Sequence, residues 1–527
     1  MLFMLCAVVL ASGFVFALCS LFAPTWDTND DVAMSMVAHG YGIAAIGSPN
    51  LIFSNVLWGY LVRLIPEING VLGYSLATFA VLVIVGTIIV YGLLALGLGI
   101  VTASSALILL LTRPILFPQF TINAGLLMLS AIICLHLFAR CANKRFLWIG
   151  CLLAYLSYLV RSHEFLLVLL VALPLLPWRT IRFERAPKIA FTVLIFAIGL
   201  AALIDQKAYQ GSDWNAFNEL NHTRALFTDF GAGGLLKQRA DILESRHFSV
   251  NDIDLISNWF FVDPNIADPA NLNAMLYELV SLPKNAVSLD NALLGVKALW
   301  HPKLLPIVLA ALFLFALRPS WRVAGVFGLA ITAVFTLGLL GRPGTLRVIV
   351  PLVCVILIAP LLVHGSGSSG QGVWRHRMMM AIFLTAAAFN FYLIFPESNS
   401  ARTASQATRE SLHDFPSGPV VIWGETFPFE EVYPALSISG PAIHYRLYGL
   451  GVFTLAPFST GVYEVSNGRG MIKMLLSDRG IPAVMNRMHL DMLENYCKER
   501  QAGTLVTEFS HQYGGFKIMN VRCDRAK

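Results

Sequence analysis

Apolar stretches alternate with short polar connections from the first residue to about residue 395. A helix of about 17–25 mostly apolar residues is long enough to cross the hydrocarbon core of a bilayer. The pattern predicts about eleven spanning helices, within a range of roughly ten to twelve because several stretches are short and closely joined. The predicted spans lie near residues 1–23, 70–95, 98–112, 120–139, 146–162, 164–178, 189–205, 303–317, 323–340, 347–363 and 378–395.

Two longer polar segments, 24–69 and 206–300, interrupt this apolar pattern. Within the first, Leu51 to Pro66 is too short and too polar for a span, and its mixture of aromatic and basic side chains is typical of a helix lying in the membrane interface. Within the second, the stretch from Ser249 to Asp254 predicts the N-capped start of a helix that precedes Ile256 and Trp259.

The pattern changes again near residue 400, where polar and apolar residues mix as they do in a water-soluble domain. Val420 to Gly424 predicts a buried strand, and a hairpin is predicted around Gly514 and Gly515. The remaining predicted elements of this region are helices over 466–477 and 489–500, a short extended segment at 483–485, and hairpin strands within 505–522.

The composition indicates the same class of protein. Hydrophobic residues make up 57% of the 527 residues and charged residues 13%, about half the charged share of soluble globular proteins. The net charge of +6 does not indicate a nucleic-acid partner. We therefore expect a polytopic α-helical membrane protein, with a transmembrane domain over 1–395 and an extracytoplasmic α/β domain over 396–527.

Basic residues in short loops predict the orientation of the chain. With eleven spans, the basic loops fall on one side if the N-terminus is cytoplasmic, and the stretch 1–23 lacks the basic start and cleavage site of a signal peptide. Both outer segments and the C-terminal domain then face the periplasm of a bacterial inner membrane, and 365–370 is a flexible cytoplasmic linker. The basic loop residues are Arg140, Lys144, Arg145, Arg179, Arg182, Arg185, Lys188, Arg318, Arg322, Arg375 and Arg377.

Candidate chemistry begins with Asp30 and Asp31, which follow the first span closely. Acidic groups near a bilayer usually face a polar cavity or a cation, and a carboxylate there could remove the proton from a hydroxyl group. The alternative is a solvated acidic loop. No cofactor is required by the sequence, although this pair could also bind Mg²⁺ or Mn²⁺. Glycine-rich nucleotide loops and the metal-binding pattern HExxH do not occur in the sequence.

Four arginines, Arg113, Arg161, Arg342 and Arg347, lie at the outer ends of predicted spans, where the orientation rule predicts few. Guanidinium groups bind phosphate oxygens in pairs and stay charged, so these residues are candidates for holding a phosphate leaving group. The alternative is contact with lipid headgroups.

Supporting residues follow from position in the chain. His163 and Glu164 come directly after Arg161, where Glu164 could orient that arginine, assist proton transfer or simply mark a helix end. Asn221 and Arg224 are three residues apart, which places them on neighbouring turns if a helix forms. They could contact a sugar or pack on the membrane domain.

Two of the eight cysteines, Cys497 and Cys523, fall in the predicted outer domain. An isolated pair in an oxidising compartment predicts a disulfide, here between a helix and the last strand. The other six cysteines lie in spans or at inner helix ends, where free thiols are ordinary.

A span, a carboxylate pair, interfacial helices and a second span form an arrangement that resembles the GT-C superfamily of polytopic glycosyltransferases. At the level of residues the resemblance is confined to Asp30 and Asp31, while the layout covers the whole chain. It implies a polyprenyl-phosphate sugar donor, an acidic residue of the first outer loop as base or metal ligand, and inversion at the anomeric carbon.

The expected function is therefore transfer of a hexosyl or pentosyl group to a cell-envelope glycan or lipid acceptor on the periplasmic face. One alternative is an O-antigen polymerase or ligase, which also combines many spans with outer arginines but does not need the carboxylate pair. The other is a transporter or scaffold without catalysis. Transporters usually show repeated halves and polar residues at mid-span, whereas the span centres here are almost free of charge.

Overall fold

Helices make up most of this computed structural model, which describes residues 2–279, 288–364, 373–436 and 441–525. The predicted linker at 365–370 lies outside the described residues. The helices of the first two hundred residues are α1 (Leu2–Phe22), α2 (Asn29–His39), α3 (Val56–Leu64), α4 (Gly73–Ala95), α5 (Ile100–Leu116), α6 (Phe120–Cys141), α7 (Lys144–Val160), α8 (Ser162–Val171), α9 (Trp178–Phe183) and α10 (Arg185–Ala208).

The chain continues through short helices and then returns to long ones. The short helices are α11 (Asn215–Thr228), α12 (Ala232–Leu236), α13 (Ala240–Ser245), α14 (Val250–Ser257), α15 (Pro269–Glu278) and α16 (Leu289–Lys297). The long ones are α17 (Leu305–Leu317), α18 (Trp321–Leu339), α19 (Leu346–His364) and α20 (Val373–Ser411).

Among the described residues, seven helices are long and apolar enough to cross a membrane, namely α1, α4, α6, α10, α18, α19 and α20. The number reaches eight if α16 and α17, which meet at a bend of 83°, form one broken span. All eleven predicted stretches are helical, but four of them form shorter helices. The ten residues of α8, for example, cover about 15 Å, or half of the hydrocarbon core. The protein is thus a polytopic membrane protein with fewer full-length spans than predicted.

Helix α6 lies at the centre of the bundle, packed against α4, α7, α8 and α19. It is apolar on all sides, and a helix of this kind is stable only when it is surrounded by other apolar groups. Gly125 allows α19 to come close, since a Cβ atom at this position would lie 2.3 Å from Pro351 Cβ. The same close approach brings the outer end of α19 next to α8.

The segment 24–69 packs across the N-terminal ends of α4 and α6. His39 Nε2, at the end of α2, accepts a hydrogen bond of 3.2 Å from the backbone N–H of Tyr74. Gly40 ends α2 in the left-handed conformation, with φ of 76°. Helix α3 lies within the predicted interfacial segment 51–66.

The C-terminal domain contains a five-stranded sheet with the order β2-β1-β3-β5-β4. Strand β1 pairs in parallel with β2 and β3, whereas β5 is antiparallel to β3 and β4. The predicted strand at 420–424 and the hairpin around Gly514 are both present. The elements are β1 (Val420–Trp423), α21 (Phe429–Val432), β2 (Leu447–Leu450), α22 (Thr460–Ser466), α23 (Met471–Leu475), β3 (Ile481–Val484), α24 (Arg487–Gln501), β4 (Gly503–Tyr513) and β5 (Phe516–Arg525).

Cys497 of α24 and Cys523 of β5 form a disulfide with their Cα atoms 5.7 Å apart. The predicted domain boundary at 395/396 lies inside α20, which continues to Ser411 before the sheet begins. The segment 206–300 joins the sheet in one apolar core, where Phe260 stacks on Trp423 at 5.2 Å between ring centroids. As predicted, Ser249 caps α14.

Backbone hydrogen bonds connect the segment 24–69 to the C-terminal domain. Leu447 N–H donates to Gly42 O at 3.0 Å, Thr460 N–H to Ile43 O at 2.8 Å, and Ala45 N–H to Phe458 O at 2.8 Å. These bonds hold α2 over the end of the sheet, so that residues of α2 and of the strand ends enclose common space.

Candidate functional site

The carboxyl group of Asp31 is a buried anchor at the start of α2. Asp31 has no exposed surface, and its Oδ1 atom accepts hydrogen bonds of 3.0 Å from both the Tyr74 hydroxyl and the Phe120 backbone N–H. Thr28 Oγ1 donates to its Oδ2 at 3.3 Å. Burial raises the pKa of Asp31 well above its usual range, while the Tyr74 hydrogen bond opposes that shift. These contacts connect α2 to the starts of α4 and α6.

Asp30 points in another direction, because consecutive helical residues are rotated by about 100°. Its carboxylate pairs with the guanidinium group of Arg347, and the two side chains remain 23% and 32% exposed respectively. Asp30 lines two separate cavities. The two adjacent aspartates therefore have different environments, and only Asp30 is open to a substrate.

A polar cavity of about 540 Å³ brings together most of the predicted site. We call it the arginine cavity. Arg161, Arg224, Arg342 and Arg347 line it, with Asp30 on the wall formed by α2; Asn221 and Asp229 also line it. Four guanidinium groups against the two carboxylates of Asp30 and Asp229 leave two positive charges in excess. Such a lining attracts a phosphate group.

Two arginines of this cavity, Arg161 and Arg224, are held in place by aromatic neighbours. The Arg161 guanidinium lies 5.0 Å from the centroid of the Phe120 ring and 5.7 Å from that of Phe53. Arg224 donates to Asn221 Oδ1 at 2.7 Å and lies 4.9 Å from the Trp259 ring centroid. These contacts order the guanidinium groups at the wall of the cavity.

The side chain of Arg342 is held less tightly. Its Nη2 atom lies 3.5 Å from Asp229 Oδ2, and its side chain is 58% exposed. It stands in the connection between α18 and α19, whereas Arg347 belongs to the first turn of α19 and Arg161 directly precedes α8. Two helix N-termini therefore meet at this place, and their partial positive charges add to those of the arginines.

A second cavity, of about 380 Å³, lies on the other side of the same arginines between α8, α18 and α19. We call it the apolar cavity because apolar atoms, including those of five aliphatic side chains, form most of its wall. Arg161, Arg342 and Arg347 line both cavities. The aliphatic residues are Leu167, Val334, Leu337, Val348 and Ile349.

Glu164 and His163 also line the apolar cavity. Glu164 is 2% exposed, and its Oε1 atom has no hydrogen-bond partner within the described residues, whereas His163 is exposed. A buried carboxyl oxygen without a donor is costly, so a ligand that carries a donor would be stabilised there.

Arg113 does not join this group. It is 7% exposed and pairs with Asp27 at 2.7 Å and with Glu397 at 3.2 Å, while Lys303 Nζ lies 2.5 Å from Glu397. This network connects the C-terminal end of α5 and the interior of α20 to the loop before α2. These ion pairs account for Arg113 at this helix end without a bound substrate. In the sequence, the sign of such a pairing was Asp27, which belongs to the same acidic string as Asp30.

A third cavity, of about 210 Å³, opens where the parallel strands β1 and β2 end. We call it the strand-end crevice. Asn29, Asp30 and Ala33 of α2 form one wall, and Gly424, Glu425 and residues 449–453 form the other. Asp30, Trp259 and Val452 border both this crevice and the arginine cavity. Glu425 and Trp259 were not among the predicted site residues. The sequence sign for Glu425 was its position directly after the predicted strand that ends at Gly424.

Asp30 and Asp31 do not form a bidentate metal site, because Asp31 is directed into the bundle and Asp30 toward Arg347. Across the described ranges, no group of three or more His, Cys, Asp and Glu side chains is arranged to hold a metal ion.

No protein-family model and no curated protein matches this chain. Among solved structures, the chain is similar to the crystal structure of ArnT from Cupriavidus metallidurans bound to undecaprenyl phosphate, with 97% of each chain covered. The sequence identity is 12% and the TM-score 0.38. Because the identity and the TM-score are low, the chemistry of the site is derived from the residues of this chain alone.

Proposed function

We propose that this protein is a membrane glycosyltransferase that moves a hexosyl or pentosyl group from a polyprenyl-phosphate donor to a cell-envelope glycan or lipid acceptor. The observation that carries the proposal is the position of Arg161, Arg342 and Arg347 between a polar and an apolar cavity, with Asp30 opposite them. A lipid-linked sugar phosphate has three matching parts in the same order, namely a polar sugar, a charged phosphate and an apolar chain.

The donor fits this arrangement with its phosphate on the three shared arginines. Its isoprenoid chain then extends through the apolar cavity along α8 and α18 into the bilayer, where aliphatic contacts stabilise it. Its sugar extends into the arginine cavity, close to Asp30 and Asn221. The excess of positive charge there balances the phosphate before and after reaction.

In the proposed reaction Asp30 acts as the general base. Its carboxylate takes the proton of an acceptor hydroxyl as that oxygen bonds to the anomeric carbon of the donor. The bond between the anomeric carbon and the phosphate oxygen breaks, and its electron pair leaves with the phosphate, where the arginines stabilise the added charge. A single displacement of this kind inverts the anomeric centre.

Arg347 connects the two halves of the reaction because it contacts Asp30 and borders both cavities. Its guanidinium group orients the Asp30 carboxylate before reaction and stabilises the charged phosphate afterwards. Arg347 is therefore the arginine whose removal affects both binding and turnover.

The proposed topology places the N-terminus in the cytoplasm and both the site and the C-terminal domain in the periplasm of a bacterial inner membrane. The transmembrane domain would cover 1–395 and the α/β domain 396–527, with α20 crossing that boundary as one helix. Cysteine labelling from the periplasm at an introduced Asp478→Cys, in the exposed turn after α23, checks this orientation.

The function is tested by glycan analysis of a deletion strain complemented with wild type, Asp30→Asn, Arg347→Ala or Arg487→Ala. Arg487 is the control, since its side chain is 83% exposed and pairs with Asp491 on the surface of α24. We expect the control to restore the missing sugar and the other two variants to fail. Full restoration by Asp30→Asn would contradict the proposal and favour an O-antigen polymerase or ligase.

A further inference from the structure

The strand-end crevice lies at the place in the sheet where ligands commonly bind. In open sheets with parallel strands, ligands occupy the crevice outside the carboxyl ends of the strands, at the point where the strand order reverses. Here the order β2-β1-β3 reverses between β1 and β3, and the crevice lies beside that point, outside the carboxyl ends of β1 and β2. Residues 422, 424 and 425 at the end of β1 line the crevice, as do 449–453 at the end of β2.

The crevice also reaches the proposed reaction centre. Asp30 and Trp259 border it on one side and the arginine cavity on the other. Trp259 has a φ of 71°, a strained conformation for a large residue, and the Arg224 guanidinium lies 4.9 Å from its ring centroid. A molecule in the crevice would therefore meet the proposed base from the side opposite the arginines, next to an indole ring of the kind that packs on sugars.

The charge of the crevice is opposite to that of the arginine cavity. Among the described residues that line it, none carries a positive charge, whereas Asp30 and Glu425 carry carboxylates. Burial raises the pKa of the neighbouring Glu430, and the negative charges of Glu425, Glu431 and Asp30 add to that effect. A phosphate group would be repelled here, and hydroxyl or ammonium groups would be attracted.

We propose that the strand-end crevice binds the acceptor, and that the acceptor group bound there is a neutral or cationic, hydroxyl-bearing sugar without phosphate. Glu425 accepts hydrogen bonds from this group, and Asp30 takes the proton of its reacting hydroxyl. This inference rests on the proposed function, because it assigns the second substrate of the same site. The C-terminal domain then selects the acceptor, while the helical bundle holds the donor.

The test reverses one charge in the crevice. Glu425→Lys is compared with Asp478→Lys, which makes the same change at an exposed position of the same domain. For each full-length protein, undecaprenyl phosphate binding is measured in nanodiscs and modified glycan is quantified in the complemented deletion strain. We expect Glu425→Lys to lower the glycan about tenfold or more, because lysine removes the hydrogen-bond acceptor and repels a cationic acceptor group. Lipid binding should stay unchanged, because Glu425 lines neither of the cavities assigned to the donor. Asp478→Lys should change neither quantity.

Equal glycan levels for the two lysine variants would overturn the acceptor assignment, as would a parallel loss of lipid binding in Glu425→Lys. A different result would contradict the proposed function itself. In that case wild-type protein would not bind undecaprenyl phosphate, or Arg347→Ala would bind it as well as wild type does.

Competition with small sugars provides a second measurement that does not depend on the folding of Glu425→Lys. Methyl glucoside, glucosamine and glucose 6-phosphate are added to wild type and to Glu425→Gln during transfer. We expect glucosamine to inhibit wild type most and glucose 6-phosphate least, with a smaller preference for glucosamine in Glu425→Gln. Equal inhibition by all three sugars would overturn the assignment of the acceptor class.

Discussion

Replacing each of the two adjacent aspartates in turn separates chemistry from folding. Asp30→Asn removes the proposed base but keeps the shape of a side chain that is 23% exposed. Loss of a general base lowers a rate by about 10²–10⁴-fold. Its ion pair with Arg347 is partly solvated, and such pairs contribute about 0–1 kcal/mol, so the unfolding temperature should hardly change.

Asp31→Ala should do the reverse. It leaves two buried donors, the Tyr74 hydroxyl and the Phe120 N–H, without an acceptor. Each unsatisfied donor costs about 1–3 kcal/mol, so the free energy of unfolding should fall by about 2–6 kcal/mol. Asp31→Asn keeps an acceptor at Oδ1, where both donors converge, and should retain most of the stability and most of the transfer rate.

The assay combines thermal unfolding of purified protein in nanodiscs with the initial rate of sugar transfer. The expected ranking for rate is wild type, then Asp31→Asn, then Asp30→Asn, and for stability Asp31→Ala falls below the other three. If Asp31→Asn were as stable as wild type but as inactive as Asp30→Asn, the assignment of Asp31 to a purely anchoring role would be wrong.

Three further predictions follow from the cavities and the outer domain. Arg161→Ala should weaken undecaprenyl phosphate binding about 10–100-fold, the value of one charged hydrogen bond, whereas Arg113→Ala should lower stability instead; equal lipid affinity for both variants would contradict the division. Burial and the charge of Arg63 lower the pKa of His39 to about 4 from its usual 6.5, so its contribution to stability is present above pH 6.5 and declines as the pH falls toward 4. Thermal unfolding of His39→Gln over this range should show a smaller pH dependence than wild type. Peptide mass analysis without reductant should show Cys497 and Cys523 linked, and two free thiols would refute the pairing.

The sequence allowed the elements and the convergence of the arginines to be predicted because these depend on local patterns. Apolar length places the helices, and charges at helix ends of one side of a membrane must lie in one layer. Thus Arg161, Arg342 and Arg347 could be grouped with Asp30 from the order of spans and loops alone.

Contacts between segments that lie far apart along the chain could not be predicted from the sequence. The roles of Asp30 and Asp31 differ because Phe120 and Tyr74 fix the rotation of α2, and these residues are about ninety and forty positions away along the chain. The ion pair of Arg113 with Glu397 could not be predicted for the same reason, because the two residues are 284 positions apart. The crevice was not predicted because it forms between α2, near the start of the chain, and strand ends that follow the last long helix, α20.

The backbone bonds from Gly42, Ile43 and Ala45 to the C-terminal domain constrain how this protein can be re-engineered. A chimera that exchanges residues after α20 alone would lose the partners of those three backbone groups and with them the placement of the proposed base. Swapping acceptor preference between related enzymes should therefore succeed only when the short loop at 40–48 is transplanted together with the distant sheet.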